Sequence, residues 1–600
     1  MATTVAGAGF KPATGGSFLL EDRRPEEIFT PEDFSEEQRQ IAATAEQFAA
    51  QEILPAATDV EAKNFTVTRA LLRKAGELGL MAVDIPEEYG GLAMDKTTSA
   101  LVADHISVLA SFSTAFSAHV GIGTLPIVWY GSAEHKQKYL PKLATGEWIA
   151  AYALSEATSG SDAMNIHAKA VLSEDGQHYI LNGEKMWISN AGFADVFTVF
   201  AKVDGEKFSA FLIERGTPGF TVGPEEHKLG IRGSSTCPLI LSDCKIPVGN
   251  LLGEVGKGHH IAFNILNIGR FKLGAACVGG ARNSLGHALR YARERKAFGK
   301  SIGDFGLIQQ KLADSATRIF AAESMAYRTV GMIDAALATL EGDAAHSPRE
   351  IQKKIEEFAV ECSILKVAGS EMLDCVVDHM VQIYAGYGYV EEYPAERAYR
   401  DSRINRIFEG TNEINRLIIT GWLMKRALSG QLPLLPAIKK MMDEVMQPPS
   451  FDSGDVDDDS LAREAGILAN ARKIALLCAG AASQKYMAAL VDQQEIMGHL
   501  ADELIAVYAL ESVLLRARKL AASHATGADV AARMVALEAD KTMTTMESAG
   551  RAVLAAAAEG DMLRTQLAIL RRLAKHTPVD SIGLGRQVAA HFYEQGKYFL

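Results

Sequence analysis

Glu409 is followed directly by Gly410, and a helical pattern of apolar residues (Ile414, Leu417, Ile418, Trp422) begins a few positions later. Gly410 lets a ligand or another stretch of backbone approach closely. The N–H groups that open the next helix favour negative charge. A carboxylate at such a junction has what a general base needs, with nearby N–H groups to polarise the carbonyl of its ligand. An ordinary Glu in a helix N-cap region satisfies the same pattern, so the segment alone leaves both readings open. Other residues with usable chemistry have equally plain structural uses. A lone Trp on a β segment, such as Trp187, packs in a core, Ser155 and Ser189 serve as turn hydroxyls, Arg295 as a solvated helix residue and Arg270 as a surface ion-pair partner.

Several chemistries are poorly supported. Gly386-Tyr387-Gly388 and Gly121-Ile122-Gly123 lack the third small residue of a dinucleotide fingerprint. Gly299-Lys300-Ser301 ends like a phosphate loop, but Glu294 stands where its first Gly belongs. No G-x-S-x-G elbow and no H-E-x-x-H zinc helix occur. The six cysteines (237, 244, 277, 362, 375, 478) form no C-x-x-C pair, which predicts buried free thiols in a reducing compartment and no metal site. His259-His260 is read as an exposed loop pair. The net charge of −13 argues against non-specific nucleic-acid binding.

These residues must be positioned by elements that the chain's texture outlines. A length of 600 residues implies several domains. Residues 1–34 carry Gly, Pro and charge without periodicity and read as an irregular arm. Ser35 with Gln38 forms a capping-box pattern ahead of the periodic run Ile41–Ile53, and helical stretches continue to about 150. Between 151 and 257 short segments alternate or run apolar: 168–172, 178–182, 196–203, 208–214 and 239–245. Glu174-Asp175-Gly176 and Asn182-Gly183 are read as turns between them. This predicts an antiparallel β domain. Helical periodicity returns over 258–430. Pro448-Pro449 and Asp452, Asp455, Asp457, Asp458 and Asp459 mark 431–460 as an acidic linker, and 461–600 reads as Ala- and Leu-rich helix to about 575. The first twenty residues hold Lys11 and no Arg, with no secretory or transit pattern, and no apolar run approaches a membrane span. The expectation is a soluble, cytoplasmic protein.

The segment Phe408-Glu409-Gly410-Thr411 resembles the signature of the acyl-CoA dehydrogenase family, and the resemblance extends over about 35–430. Tyr152-Ala153-Leu154-Ser155-Glu156-Ala157-Thr158-Ser159-Gly160-Ser161-Asp162 is similar to the family's first flavin loop, with Ala157 and Thr158 in place of the commoner Pro and Gly. Trp187-Ile188-Ser189-Asn190 is similar to the second loop. Glu294 to Lys300 resembles the segment that reaches a neighbouring subunit's FAD, and Gln382 to Tyr389 the contact at the dinucleotide end. The stretches 305–309, 323–327 and 265–270 resemble the very-long-chain branch, as does the presence of an extra C-terminal helical domain. The resemblance implies a mainly α fold with a central β domain, namely a helical N-terminal domain, an antiparallel β domain, a helical bundle and a C-terminal helical domain.

Glu409 is then implied as the base that takes the α-proton, with the β-hydride passing to FAD. Gly269 stands where some relatives carry the base and has no side chain to act. The flavin contacts implied are Tyr152, Leu154, Ser155, Ser161, Trp187, Ile188, Ser189, Gln382, Gly386, Thr411, Asn412 and Glu413, with Arg295 and Phe298 completing the site across a subunit boundary. Many relatives have a flavin-contacting Gln at Gly306, so that contact is expected to be missing. Ser161, Asn267, Arg270 and Gly410 are implied to line the acyl-CoA site. The implied electron acceptor is an electron-transferring flavoprotein, and the implied assembly a homodimer. The acidic linker would be repelled by anionic lipid, which sets the chain apart from the branch's membrane-attached members. An acyl-CoA oxidase that uses oxygen, and an assembly factor built on the same scaffold, are the alternatives.

Overall fold

The computed structural model describes residues 13–446 and 460–599. The first long helix starts where the sequence predicts. Ser35 Oγ accepts from the Gln38 N–H at 3.1 Å, and Gln38 Oε1 accepts from the Ser35 N–H at 2.9 Å. Seven helices make the N-terminal layer: α1 (Glu36–Phe48), α2 (Ala57–Glu61), α3 (Phe65–Glu77), α4 (Lys96–His105), α5 (Ala110–Ser117), α6 (Leu125–Tyr130) and α7 (Ala133–Ala144). α1 widens into a π-helical turn at Ala49–Ile53, so the periodic run 41–53 is one continuous rod.

The strands are β1 (Ala150–Ala153), β2 (Lys169–Leu172), β3 (His178–Ser189), β4 (Val196–Val203), β5 (Lys207–Glu214), β6 (Phe220–Val222), β7 (Thr236–Pro247) and β8 (Leu251–Leu252). They lie in the order β6-β7-β3-β2-β4-β5-β8, with β1 also on β4. The sheet is mainly antiparallel, as expected, with two local departures. β4 pairs parallel with both β1 and β2. The Asn182-Gly183 step is a bulge inside β3 rather than a turn. The register against β7 shifts there, and Gly183 has φ 145° with Ala168 packed so close that a Cβ would lie 2.7 Å from its Cα.

α8 (Gly258–Glu294) is the spine of the molecule. Its 37 residues span roughly 55 Å, and it packs on α4, α9 (Gly306–Leu337) and α11 (Ala359–Tyr384). His259 and His260 lie in its first turn, not in a loop. After α8 comes a hairpin of β9 (Lys296–Ala297) and β10 (Lys300–Ser301). The bundle also holds α10 (Pro348–Glu356), α12 (Pro394–Ser402) and α13 (Asn412–Leu428).

The predicted linker 431–460 is corrected in its first half. α14 (Leu434–Met446) forms there, because Leu434, Met441 and Val445 recur at helical spacing and are buried where the helix meets α15 (Ala462–Tyr486). The acidic residues 452–459 lie outside the described residues. Helix continues past 575: α16 (Gln494–Ala522), α17 (Ala528–Ala557) and α18 (Gly560–Ala574) are followed by α19 (Ser581–Gln595). Among the described residues, two helical stretches, Gly258–Glu294 and Ala462–Asp492, are long and apolar enough to span a bilayer, contrary to the sequence expectation, and the apolar window of the first is 72% buried inside the protein.

The arm is irregular but tightly held. Phe18, Leu19, Ile28 and Phe29 are buried, each worth about 1.5–3 kcal/mol. Arg472 on α15 donates to the Phe18 carbonyl at 2.8 Å, and Arg516 on α16 binds Glu32 at 2.8 Å. Arg516 also meets Glu323 of α9 at 2.7 Å, which in turn meets Arg282 of α8 at 3.2 Å. Arg328 of α9 and Arg472 share Glu511 at 2.7 and 2.6 Å. These buried ions tie arm, bundle and C-terminal helices into one unit. Removing one partner of a buried pair costs about 3–5 kcal/mol. Arg516→Ala is therefore expected to lower the urea midpoint and expose the arm to protease, with Arg516→Met milder. An unchanged midpoint would show that the network holds nothing together.

Candidate active site

Glu409 sits at a strained junction. A short 3-10 turn (Arg403–Arg406) precedes it, and Thr411 caps α13 by accepting from the Ile414 N–H at 3.3 Å. Glu409 and Gly410 both have left-handed backbone, φ 57° and 81°. Glycine adopts this freely, whereas Glu does so at a cost that neighbours must offset. Buried Asn415 supplies much of that support. Its Nδ2 donates to the carbonyls of Gly410 (2.8 Å) and Thr411 (3.0 Å), and more distantly to that of Glu409 (3.4 Å). Arg270 Nε also reaches the Glu409 carbonyl at 3.4 Å.

The kinked backbone turns the Glu409 carboxylate onto α8 at Gly269. A Cβ there would lie 2.4 Å from Oε2, so only glycine leaves room. Oε2 is buried and has no hydrogen-bond partner. Burial pushes the carboxyl up to about 7, against the pull of the Arg270 and Lys366 charges. Lys366 on α11 is itself pushed down to about 8 by burial, and its Nζ donates to Asn412 Oδ1 at 2.7 Å. Arg270 donates to Asn267 Oδ1 at 3.0 Å, and both side chains are buried. The side chain of Asn412 is committed inside the protein to Lys366, Ser370 and Glu371.

A second group forms where β1 ends beside β3. The Met186 N–H donates to the Ser155 carbonyl at 2.9 Å, joining the two predicted loops. The register of β3 against β7 breaks between Lys185 and Ile188, and in that break Trp187 takes φ 59°. The bulge throws the indole off the sheet, leaving it 56% exposed while Ile188 and Leu154 are buried. Trp187 is therefore no core residue. Ser155 and Ser189 are half-buried, and Ser161, near the end of the first loop, is exposed. Buried Glu156 and Lys185 pair at 2.7 Å, and Glu156 also accepts the N–H groups of His167 and Ala168.

A third group lies apart on the surface. The β9–β10 turn carries Phe298, 95% exposed, and Arg295 lies 5.5 Å over the ring of Tyr387 in the turn that follows α11. Gln382 and Gly386 are exposed beside it. Sequence reasoning missed Lys366, Asn415, Glu156 and Lys185, which act by supporting the named residues. Glu156 stood inside the quoted first loop, and Asn415 lies four residues past the Phe408–Thr411 segment. It also missed Asp314, Cys375 and His379, whose ligand atoms converge within 4.8 Å from α9 and α11. There Arg318 already occupies the carboxylate at 2.7 Å.

Family models match in chain order. Acyl-CoA dehydrogenase N-terminal, middle and C-terminal domains cover residues 35–147, 151–244 and 256–424, and a further acyl-CoA dehydrogenase C-terminal domain covers 470–572. The chain belongs to the acyl-CoA dehydrogenase family of flavin-dependent oxidoreductases, whose cofactor is FAD. A probable acyl-CoA dehydrogenase of Bacillus subtilis (strain 168) is 49% identical over 589 residues, 97% of this chain and 98% of that one. The human mitochondrial very long-chain specific acyl-CoA dehydrogenase is 36% identical over 75% of this chain and 70% of its own length. The crystal structure of a Bacillus anthracis acyl-CoA dehydrogenase complexed with FAD is 47% identical, covers 98% of this chain and all of that one, and superposes with a TM-score of 0.95.

Displacing a catalytic carboxylate by about 1 Å can cost around a hundredfold in rate. Gly269→Ala is expected to do so by pushing Glu409 aside, with bound flavin retained. Near wild-type reduction by substrate in that variant would mean the carboxylate does not act from this place.

Proposed function

We propose that this chain oxidises acyl-CoA thioesters to trans-2-enoyl-CoA, with Glu409 as the base. The observation that carries this reading is a buried carboxylate with an unpartnered oxygen, held near neutrality at a helix N-terminus. An acyl-CoA α-proton is weakly acidic. It needs an aligned base whose affinity for a proton matches the working pH, and donors for the developing enolate oxygen. The Glu409 N–H, at the opening of α13, is the chain's own candidate donor. Gly410 keeps that approach open.

The residues present fit FAD. Trp187 offers an exposed indole face, the joined loops at Ser155 and Ser189 offer hydroxyls, and Thr411 and Glu413 open a helix that favours phosphate or carbonyl oxygen. When bound, the flavin accepts the β-hydride and supplies the redox chemistry. Tyr152, Leu154, Ile188 and Ser161 would frame its site, and Gln382, Gly386 and the backbone of Asn412 would reach its far end. The exposure of Phe298 at the tip of the β9–β10 turn, with Arg295 at its base, supports a role at a second copy's site, and so a homodimer. Asn267, Arg270 and Gly410 would neighbour the thioester. Likeness to a very long-chain specific relative supports a long-chain substrate in fatty acid β-oxidation, with an electron-transferring flavoprotein as acceptor.

The test is direct. The purified protein should be yellow and bleach anaerobically on titration with acyl-CoAs of increasing length. Glu409→Gln should keep the colour and lose the bleaching. Because the base must be ionised, the bleaching rate should rise with pH and level off above about 7. The stability sign runs the other way. A carboxyl raised from 4.5 holds its proton more tightly folded than unfolded, so its contribution is present below about 4.5 and is lost as pH climbs towards about 7. Glu409→Gln should therefore melt higher than wild type in mild alkali and alike in acid. A colourless protein that refuses FAD would end the proposal.

A further inference from the structure

The β9–β10 hairpin cannot set its own position. Each strand is two residues long, and so short a pair is not stable by itself in water. Its internal form is fixed. Phe298 and Gly299 take φ 51° and 84°, the positive pair that a two-residue turn requires, and Ser301 Oγ donates to the Arg293 carbonyl at 3.0 Å across its base. The direction in which the exposed tip points depends on whatever holds the chain on either side, at residues 293 and 303.

The last helix, α19, holds both. Gly303 is buried in the 3-10 turn Ile302–Asp304 between β10 and α9. It lies so close to the Tyr593 ring of α19 that a Cβ there would run into it. Arg293, in the last turn of α8, sits 6.0 Å over the same ring, and its Nη1 would stand 2.8 Å from a Cβ at Gly596, where α19 ends. One aromatic ring thus meets the chain before and after the hairpin. α19 is itself firmly seated. Val588 and Phe592 are buried, and the helix packs on α9 and α17. Just beyond it Tyr598 stacks on Phe592 and donates to Glu323 Oε2 at 3.3 Å, inside the ion network that joins Arg516 to Arg282.

We propose that α19 sets the β9–β10 hairpin, with Tyr593 as its positioning residue, so that the C-terminal helices govern how firmly a second copy of the chain holds FAD. The inference rests on the reading that Phe298 and Arg295 serve that second copy's site. Tyr593 acts through the hairpin. Without the ring, Gly303 loses its neighbour and the tip samples other directions, and that freedom must be given up again when flavin binds. No covalent step is involved, and Glu409, at the start of α13, keeps its surroundings.

The experiment uses the purified FAD-loaded protein. Hydrogen exchange over residues 295–301 and the FAD dissociation constant, from flavin fluorescence on dilution, are measured side by side. Tyr593→Ala should speed exchange in the hairpin and weaken FAD binding about tenfold. Tyr593→Phe keeps the ring and should restore both. With FAD saturating, Tyr593→Ala should bleach with the wild-type pH midpoint. Gly303→Ala presses on the ring from the other side and should weaken FAD as well; it takes the place of Tyr593→Ala if that variant does not fold. Mixed dimers show whose flavin suffers. In a pair of Tyr593→Ala and Glu409→Gln chains, the one intact base belongs to the Tyr593→Ala chain, whose flavin is served by the unaltered hairpin of the other copy, so bleaching at limiting FAD should match that of a wild-type site. Both substitutions in one chain beside a wild-type copy should lose it. Unchanged hairpin exchange in Tyr593→Ala, or FAD held as tightly as in wild type while Phe298→Ala lets it go, would overturn the proposal. So would a defect that stays with the Tyr593→Ala chain's own site in the mixed dimer. Phe298→Ala protein that holds FAD like wild type would overturn instead the reading that the hairpin serves a flavin.

Discussion

The site depends on one desolvated carboxylate resting against a helix with no side chain beneath it. Glu409 can reach α8 only because Gly269 is bare and because two consecutive residues take left-handed backbone. Water is excluded there, so the carboxyl is held near neutrality, while Arg270 and Lys366 stop it from rising further. Each feature needs the others. Without the kink the side chain would miss α8, and without the bare glycine it would clash. Without Asn415 and Arg270 on its carbonyls the junction would lose the bonds that offset its strain.

The same helix organises the rest. α8 packs against α4, α9 and α11, and a rod held by several close-packed neighbours does not bend with its surroundings. The sheet brings Trp187 out through a bulge, and a buried Glu156–Lys185 pair stiffens the loop beside it. Both devices set a ligand-facing group on a rigid support. Far from the site, Arg516, Arg472 and their carboxylates join the arm and C-terminal helices to α8 and α9. The C-terminal helices share buried charges with the spine that carries Gly269, through Arg516, Glu323 and Arg282.

Much of this was legible along the chain. The capping box at Ser35, the strand 196–203 and the helix opening after Gly410 are local patterns, and local patterns survive folding because neighbours in sequence stay neighbours in space. The misreadings were those in which a distant contact overrode a local preference. Asn182-Gly183 has a turn's composition, but packing against Ala168 makes it a bulge. The stretch 434–446 lies in what reads as a linker, but burial near α15 makes it helix. The bilayer-length apolar character of α8 belongs to a core helix surrounded by others.

The amino-acid order by itself determined which residue types stand at which spacing: a Glu before a Gly at a helix start, an isolated Trp on a strand, a bare position one residue before Arg270. Only the tertiary structure decided that Glu409 meets Gly269 across 140 positions of chain, that Lys366 and Asn415 stand guard over it, and that Tyr593 closes on Gly303 from the far end of the chain. The physical reason is that desolvation, charge pairing and steric clearance act through space. They are set by side chains from different helices and strands, whose meeting no local stretch of sequence records.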